Sequence, residues 1–183
     1  SEIIFLEGMI SNLLLSDKLD VPYSNLEYKK INIRHISVKV VDLVGAGADR
    51  VQINSKSAIK YFWADETKII IAIRNIIDNA IKYSFASEKI IFNINSSNKN
   101  VIFTIINNGQ KIDDAEKESI FKPFFRSKNN NPNVAGFGLG LTICKKIIDS
   151  HGGELQLLTK QNTTTFIVKI PIEVKEKIND IKK

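Results

Sequence analysis

Asn75 and Asn79 stand one helical turn apart, with Lys82 and Tyr83 on the next turn, so a polar cluster interrupts an otherwise apolar helix face. A carboxamide oxygen is a neutral hard ligand suited to Mg²⁺, and a lysine ammonium is a point charge suited to a phosphate. In a chain that uses Asn heavily, the same four residues also read as a solvated helix face. Asn107, Asn108, Gly109 and Ile112 come directly off the end of an alternating segment. A turn there with exposed backbone can approach a flat ligand closely, and an ordinary Asn-Gly turn has the same composition. Gly136, Gly138 and Gly140 alternate with Phe137, Leu139 and Leu141 and open straight into a helix. The free amides and positive dipole end of that helix suit a polyphosphate. The spacing is GxGxG after a loop, which is not the dinucleotide fingerprint that follows a strand.

The elements that must position these residues follow from periodicity. Ile69, Ile70, Ile73, Ile76, Ile77, Ala80 and Ile81 repeat with a period of 3.6 and predict a long helix from Glu66 to Tyr83. Ile33, Ile36, Val40, Val41 and Val44 predict a helix within Ile31 to Val44, closed by Gly45 and Gly47. Val51 to Asn54 and Ile59 to Ala64 read as two strands joined by a turn at Ser55 to Ser57. Lys89 to Asn95 and Val101 to Asn107 alternate around the polar Ser96 to Asn100 turn and predict a strand pair, as do Glu154 to Thr159 and Thr164 to Ile170. Between them lie a long polar stretch, Asp113 to Ala135, with a short amphipathic piece around Phe121 to Phe125, and a helix from Leu139 to Ser150 stopped by Gly152 and Gly153. The run Lys128 to Asn133 is too polar to pack and too long for an ordinary connection, and reads as a lid or a disordered loop. Strand pairs separated by single helices imply an α+β fold, a two-layer sandwich whose mixed sheet is covered by helices on one face.

At the N-terminus Ile3, Leu6, Ile10 and Leu13 form a heptad seam. This predicts the end of a dimerisation helix over residues 1–20, or else a helix packed on its own domain, with a linker over residues 21–30. The main domain is expected at residues 31–172 and a flexible basic tail at 173–183.

Composition narrows the function classes. The chain has 183 residues, 43% of them hydrophobic and 25% charged, enough to bury one core. A net charge of +6 suits phosphate ligands or an acidic partner, and with no nucleic-acid reading motif the expectation is no direct nucleic-acid binding. A single cysteine, Cys144, excludes an internal disulfide framework, and two histidines are too few for a Cys/His metal cluster. No apolar run approaches the roughly 18 residues that span a bilayer.

The order and spacing of these parts resemble the N, G1, F and G2 boxes of the catalytic ATP-binding domain of bacterial sensor histidine kinases, within the wider group of gyrase, Hsp90 and MutL ATPases. The matching segments are Asn75-Ile-Ile-Asp-Asn79-Ala-Ile-Lys-Tyr-Ser84, Asn107 to Ile112, Phe121-Lys-Pro-Phe-Phe-Arg126 and Gly136-Phe-Gly-Leu-Gly-Leu141. The resemblance covers Ile31 to Pro171 and implies ATP and Mg²⁺ as ligands. It implies that Asn79 ligates Mg²⁺, that Lys82 meets the phosphates, and that Tyr83 lies against ribose or adenine. It further implies that Arg126 reaches the γ-phosphate and that Gly136, Phe137, Gly138, Leu139 and Gly140 wrap the phosphate chain. Asn107 and Gly109 would face the base, and Phe121, Phe124 and Phe125 would anchor the lid. ATP-hydrolysing relatives have a Glu at the position of Asn75; an amide cannot act as general base near neutral pH, so Asn75 preserves the γ-phosphate for transfer.

Two positions depart from the family pattern: Asn107 replaces the usual Asp, and Lys111 a second Gly. Neither histidine suits the phosphoacceptor role. His35 lacks a following acidic residue, and His151 sits at a helix stop. The resemblance therefore implies the catalytic part of a longer kinase, cytoplasmic within a membrane-anchored homodimer. Its implied partners are its own dimerisation and phosphoacceptor domain and a response regulator. A catalytically silent nucleotide-binding module is the alternative, since the departures at Asn107 and Lys111 touch the pocket.

Overall fold

The computed structural model describes residues 26–127 and 136–173. The expected dimerisation helix, the polar run Lys128 to Asn133 and nearly all of the basic tail lie outside those residues.

Helix α1, Ile33–Val44, starts where Asn32 Oδ1 accepts from the amides of Arg34 and His35. It stops at Gly45, whose φ of +74° is a left-handed conformation that costs glycine little. Helix α2, Glu66–Tyr83, has the limits that its periodicity predicts. Asp65 caps it by accepting from the Lys68 amide at 3.1 Å, and its apolar stripe from Ile69 to Ala80 is buried. Helix α3, Gly140–Ser150, packs against α2 and buries Ile143, Cys144, Ile147 and Ile148.

Both helices lie on one face of a five-stranded mixed sheet made of β2 (Val51–Ser55), β4 (Ile90–Ser96), β5 (Asn100–Asn108), β7 (Thr163–Pro171) and β6 (Glu154–Lys160), in that order. Strand β2 runs parallel to β4; the other pairs are antiparallel. Alternation is strict on the covered face: Ile90, Phe92 and Ile94 of β4, Val101, Phe103 and Ile105 of β5, and Phe166, Val168 and Ile170 of β7 are all buried. This is the two-layer α+β sandwich that the strand and helix order implies.

One connection differs from expectation. Val51 to Asn54 and Ile59 to Ala64 do not form a strand pair, because β3 (Tyr61–Asp65) pairs with β1 (Tyr28–Asn32) in a separate two-stranded sheet. The intervening residues are tied elsewhere. Lys56 N–H donates to Ile94 O at 2.8 Å, Ala58 N–H to Ser96 Oγ at 3.0 Å, and the Lys60 carbonyl accepts from Ile33 N–H at 3.0 Å. These bonds lead the chain off the large sheet before β3 begins, and the β1 pairing buries Ile31 and Phe62 together beneath the helices. Strand β1 begins at Tyr28, within the stretch that reads as linker in the sequence.

Candidate functional site

A cavity of about 370 Å³ opens between the second half of α2, the end of β5 and the start of α3. Asn75, Asn79, Lys82 and Tyr83 line it from α2, Asn107 from β5, and Arg126 from the segment that follows the aromatic patch. Gly136, Phe137, Gly138, Leu139 and Gly140 close it at the head of α3. Residues from Asn75 to Gly140 in sequence thus meet around one hollow. The apolar lining from Ile112, Ile120, Phe125, Leu141 and Phe166 offers a slot for a flat ring, and Lys82, Lys111 and Arg126 supply positive charge.

The start of α3 differs from the other two helices. Asn32 and Asp65 cap α1 and α2 with side-chain oxygens, whereas among the described residues no side chain caps α3. Its first intrahelical bond runs from Ile143 N–H to Leu139 O, so the amides of Gly140, Leu141 and Thr142 point out of the helix end with the positive dipole. Leu139, Gly140 and Leu141 line the cavity, which makes it a place for an anionic group. At Gly140 an added Cβ would lie 3.8 Å from Asn75 Cγ and 3.9 Å from Asn79 Nδ2, so the two carboxamides flank this helix end.

Behind Asn75 lies the buried thiol of Cys144, which donates to the Ala72 carbonyl at 3.2 Å; burial pushes its pKa far up, against a smaller opposing pull from the Asn75 side chain, so it stays protonated. Asp78, which also lines the cavity, has its carboxyl pushed up by burial, against the pull of Arg74 and Lys82. Asn107 is 4% exposed and lies directly across from Thr164, 5% exposed, at the floor.

Gly109 does not line the cavity. It bridges to Ser84, and a Cβ there would collide with the Tyr83 carbonyl oxygen, so glycine permits the turn after β5 to press on the end of α2. The aromatic patch divides: Phe121 packs against the core, Phe124 is 55% exposed, and Phe125, expected as an anchor only, lines the cavity. Sequence reasoning also missed Thr164 and Phe166, which the alternation of β7 places on the covered face.

The two histidines lie away from this hollow. His35 is exposed on α1, 3.3 Å from Glu66 Oε1. His151 is buried; its Nδ1–H donates to Ile147 O at 2.7 Å and its Nε2 accepts from the Asp65 amide at 3.1 Å. Among the described residues no three His, Cys, Asp or Glu side chains converge to hold a metal, and no helix is long and apolar enough to cross a membrane.

The profile of the histidine kinase-, DNA gyrase B- and HSP90-like ATPases matches residues 64–174, a span that holds every element of the cavity. The chain belongs to this family. The ATPase domain is 29% identical to the catalytic domain of the histidine kinase ThkA, with a TM-score of 0.69 over 81% of this chain and 99% of that one. Among curated proteins it is similar to the sensor protein RprX of Bacteroides fragilis, 27% identical over 91% of this chain and 34% of the relative. It is likewise 30% identical to the heme sensor protein HssS of Staphylococcus aureus over 91% of this chain and 36% of the relative. The ATPase domain and its flanking residues thus span about a third of the length of these sensor kinases.

Proposed function

We propose that the domain binds ATP with Mg²⁺ in this cavity and passes the γ-phosphate to a histidine on a separate dimerisation helix, for relay to an aspartate of a response regulator. The observation that carries the reading is the uncapped head of α3, opening on the cavity between Asn75 and Asn79. Three outward amides and a helix dipole form an anion seat, and the two carboxamides beside it add no negative charge to repel a polyphosphate.

The remaining residues take roles that fit their places. Lys82 and Arg126 meet phosphate oxygens, Tyr83 and Asn107 the nucleoside, and Asn79 is the protein's ligand to Mg²⁺. Mg²⁺ bound by one side chain together with phosphates is its usual mode in nucleotide sites, and when bound it neutralises charge on the phosphate chain. The chemistry of the donor set suits a kinase better than a hydrolase. Asn75 carries a carboxamide, which cannot take a proton from water near neutral pH and so leaves no general base at that position. His151 is buried with both ring nitrogens bonded, and His35 lies on α1 with no acidic residue after it, so we assign the acceptor to another segment of the kinase, which we place in a membrane-anchored homodimer.

The test has two arms. Calorimetric titration with a non-hydrolysable ATP analogue, with and without Mg²⁺, should show binding that Mg²⁺ strengthens. With ATP, the chain should gain no acid-labile phosphate by itself and should label an acceptor helix pair supplied separately. Binding without labelling of any supplied acceptor identifies the catalytically silent module instead.

A further inference from the structure

The guanidinium of Arg50 is spent entirely on the far end of α2. Arg50 follows α1 in a short 3-10 turn, Ala48–Arg50, and is half-buried. Its Nη1 donates to Ile81 O at 3.5 Å, its Nη2 to Ser84 Oγ, to Phe85 O at 2.7 Å and to Glu88 O at 2.9 Å, and its Nε to Glu88 O at 3.1 Å. One planar cation therefore collects one carbonyl of the last helical turn, Ile81 O, the capping Ser84 hydroxyl and two carbonyls of the chain that leaves the helix, at the negative end of its dipole.

Two further contacts make the joint rigid. Gly47, the residue that starts the Arg50 turn, has φ +95° and would put a Cβ 2.9 Å from Ile81 Cγ2, so the turn is seated on α2 with no room to spare. On the opposite side of the same helix end, Gly109 presses against the Tyr83 carbonyl, and Phe85 N–H donates to Asn108 O at 3.0 Å. The turn held between these two contacts bears Lys82 and Tyr83, both on the cavity.

We infer that Arg50 is a positioning residue for the nucleotide: outside the cavity, it fixes the last turn of α2 so that Lys82 meets the phosphates. The inference rests on the ATP-binding reading above. Arg50→Ala should weaken binding of a non-hydrolysable ATP analogue by about tenfold or more, the size seen when outer-sphere partners of a ligand set are removed. Arg50→Lys, which keeps the charge at the helix end but not the fork of donors, should fall between. The effect runs through Lys82 and through Tyr83 on the same turn, so in a Lys82→Ala background the cost of Arg50→Ala should shrink.

Calorimetry on the whole chain, at a temperature where circular dichroism shows each variant folded, reads all of these. If Arg50→Ala does not fold, Arg50→Lys decides. Wild-type affinity in the folded Arg50 variants, or an undiminished loss in the Lys82→Ala background, would overturn the inference while leaving the ATP reading intact. Absence of binding to the wild-type chain would overturn both.

Discussion

The Phe124 amide donates to the Gly138 carbonyl at 2.9 Å, and a Cβ on Gly138 would stand 2.7 Å from the Phe124 carbonyl carbon. The aromatic segment and the glycine-rich segment are thereby clamped backbone to backbone. Thr142 Oγ1 adds a second tie, donating to Phe121 O at 2.9 Å. Gly138 also has φ +70°, so alanine there meets both a collision and a left-handed backbone that costs about 1–2 kcal/mol. Gly138→Ala should leave the sheet intact, since neither of these two ties runs to a strand, yet should displace the head of α3. Loss of nucleotide affinity between about 10- and 100-fold is expected for a shift near 1 Å. Urea unfolding and calorimetry on the same variant check the two halves.

Asn79 gives a sharper test of metal binding. Without its carboxamide the metal loses its link to the protein while the phosphates keep the amides of α3. Asn79→Ala should abolish the strengthening of ATP-analogue binding by Mg²⁺, a loss of about 1–3 kcal/mol. Affinity measured without Mg²⁺ should change little. Equal Mg²⁺ enhancement in wild type and variant would sink the assignment.

Much of this site was legible because its residues keep helical and strand parity. The 3.6 period of α2 carries its limits, and the polar interruptions in that period, Asn75, Asn79 and Lys82, reach the cavity, as does Asp78, which the sequence reading passed over. The glycine alternation before α3 likewise marks a segment whose backbone lines the cavity. What stayed hidden depends on contacts distant in sequence. Only one residue of β1, Ile31, is buried, which leaves no alternation to read. The threonine run at 163–165 does not say which side chain faces in until its parity is counted from Phe166. Arg50 joins groups 31 to 38 residues away, a relation that no local pattern encodes.

His151 makes stability depend on pH. Burial holds its pKa below the ordinary value of 6.5, opposed by the Ile147 carbonyl and Asp65 and reinforced by Lys68. The ring must be neutral at Nε2 to accept from the Asp65 amide. A depressed folded-state pKa means the unfolded chain binds the proton more readily, so the contribution is whole above about pH 6.5 and is lost as pH falls towards the folded value. Asp65 acts lower on the scale: burial pushes its carboxyl up, but hydrogen bonds from the Lys68 ammonium and from the Lys68 and Glu27 amides outweigh this and hold it below 3.8. Between pH 7 and 5 stability should therefore fall with a slope of up to about 1.4 kcal/mol per pH unit. His151→Gln should be less stable at pH 7 by about 1–3 kcal/mol, and its slope over that range should be shallower. Urea unfolding at stepped pH measures both.

Nucleotide choice turns on Asn107. Adenine presents an amino donor beside the N1 acceptor, and guanine an O6 acceptor beside an N1–H donor, so the two edges have reversed polarity. A carboxylate at this place accepts only and repels the guanine O6. A carboxamide has one acceptor and one donor end and matches either base by turning about 180°. Asn107 is almost wholly buried at the cavity floor opposite Thr164, where an unmatched polar group has no water to turn to. ATP should still be preferred, with weaker discrimination against GTP than a carboxylate gives. A buried mismatch costs about 1–3 kcal/mol, so Asn107→Asp should widen the ATP-to-GTP affinity ratio by roughly 5- to 150-fold. Competition binding of both nucleotides to wild type and variant decides it. A ratio that stays the same or narrows would mean that Asn107 is locked in one orientation by its neighbours or does not face the base.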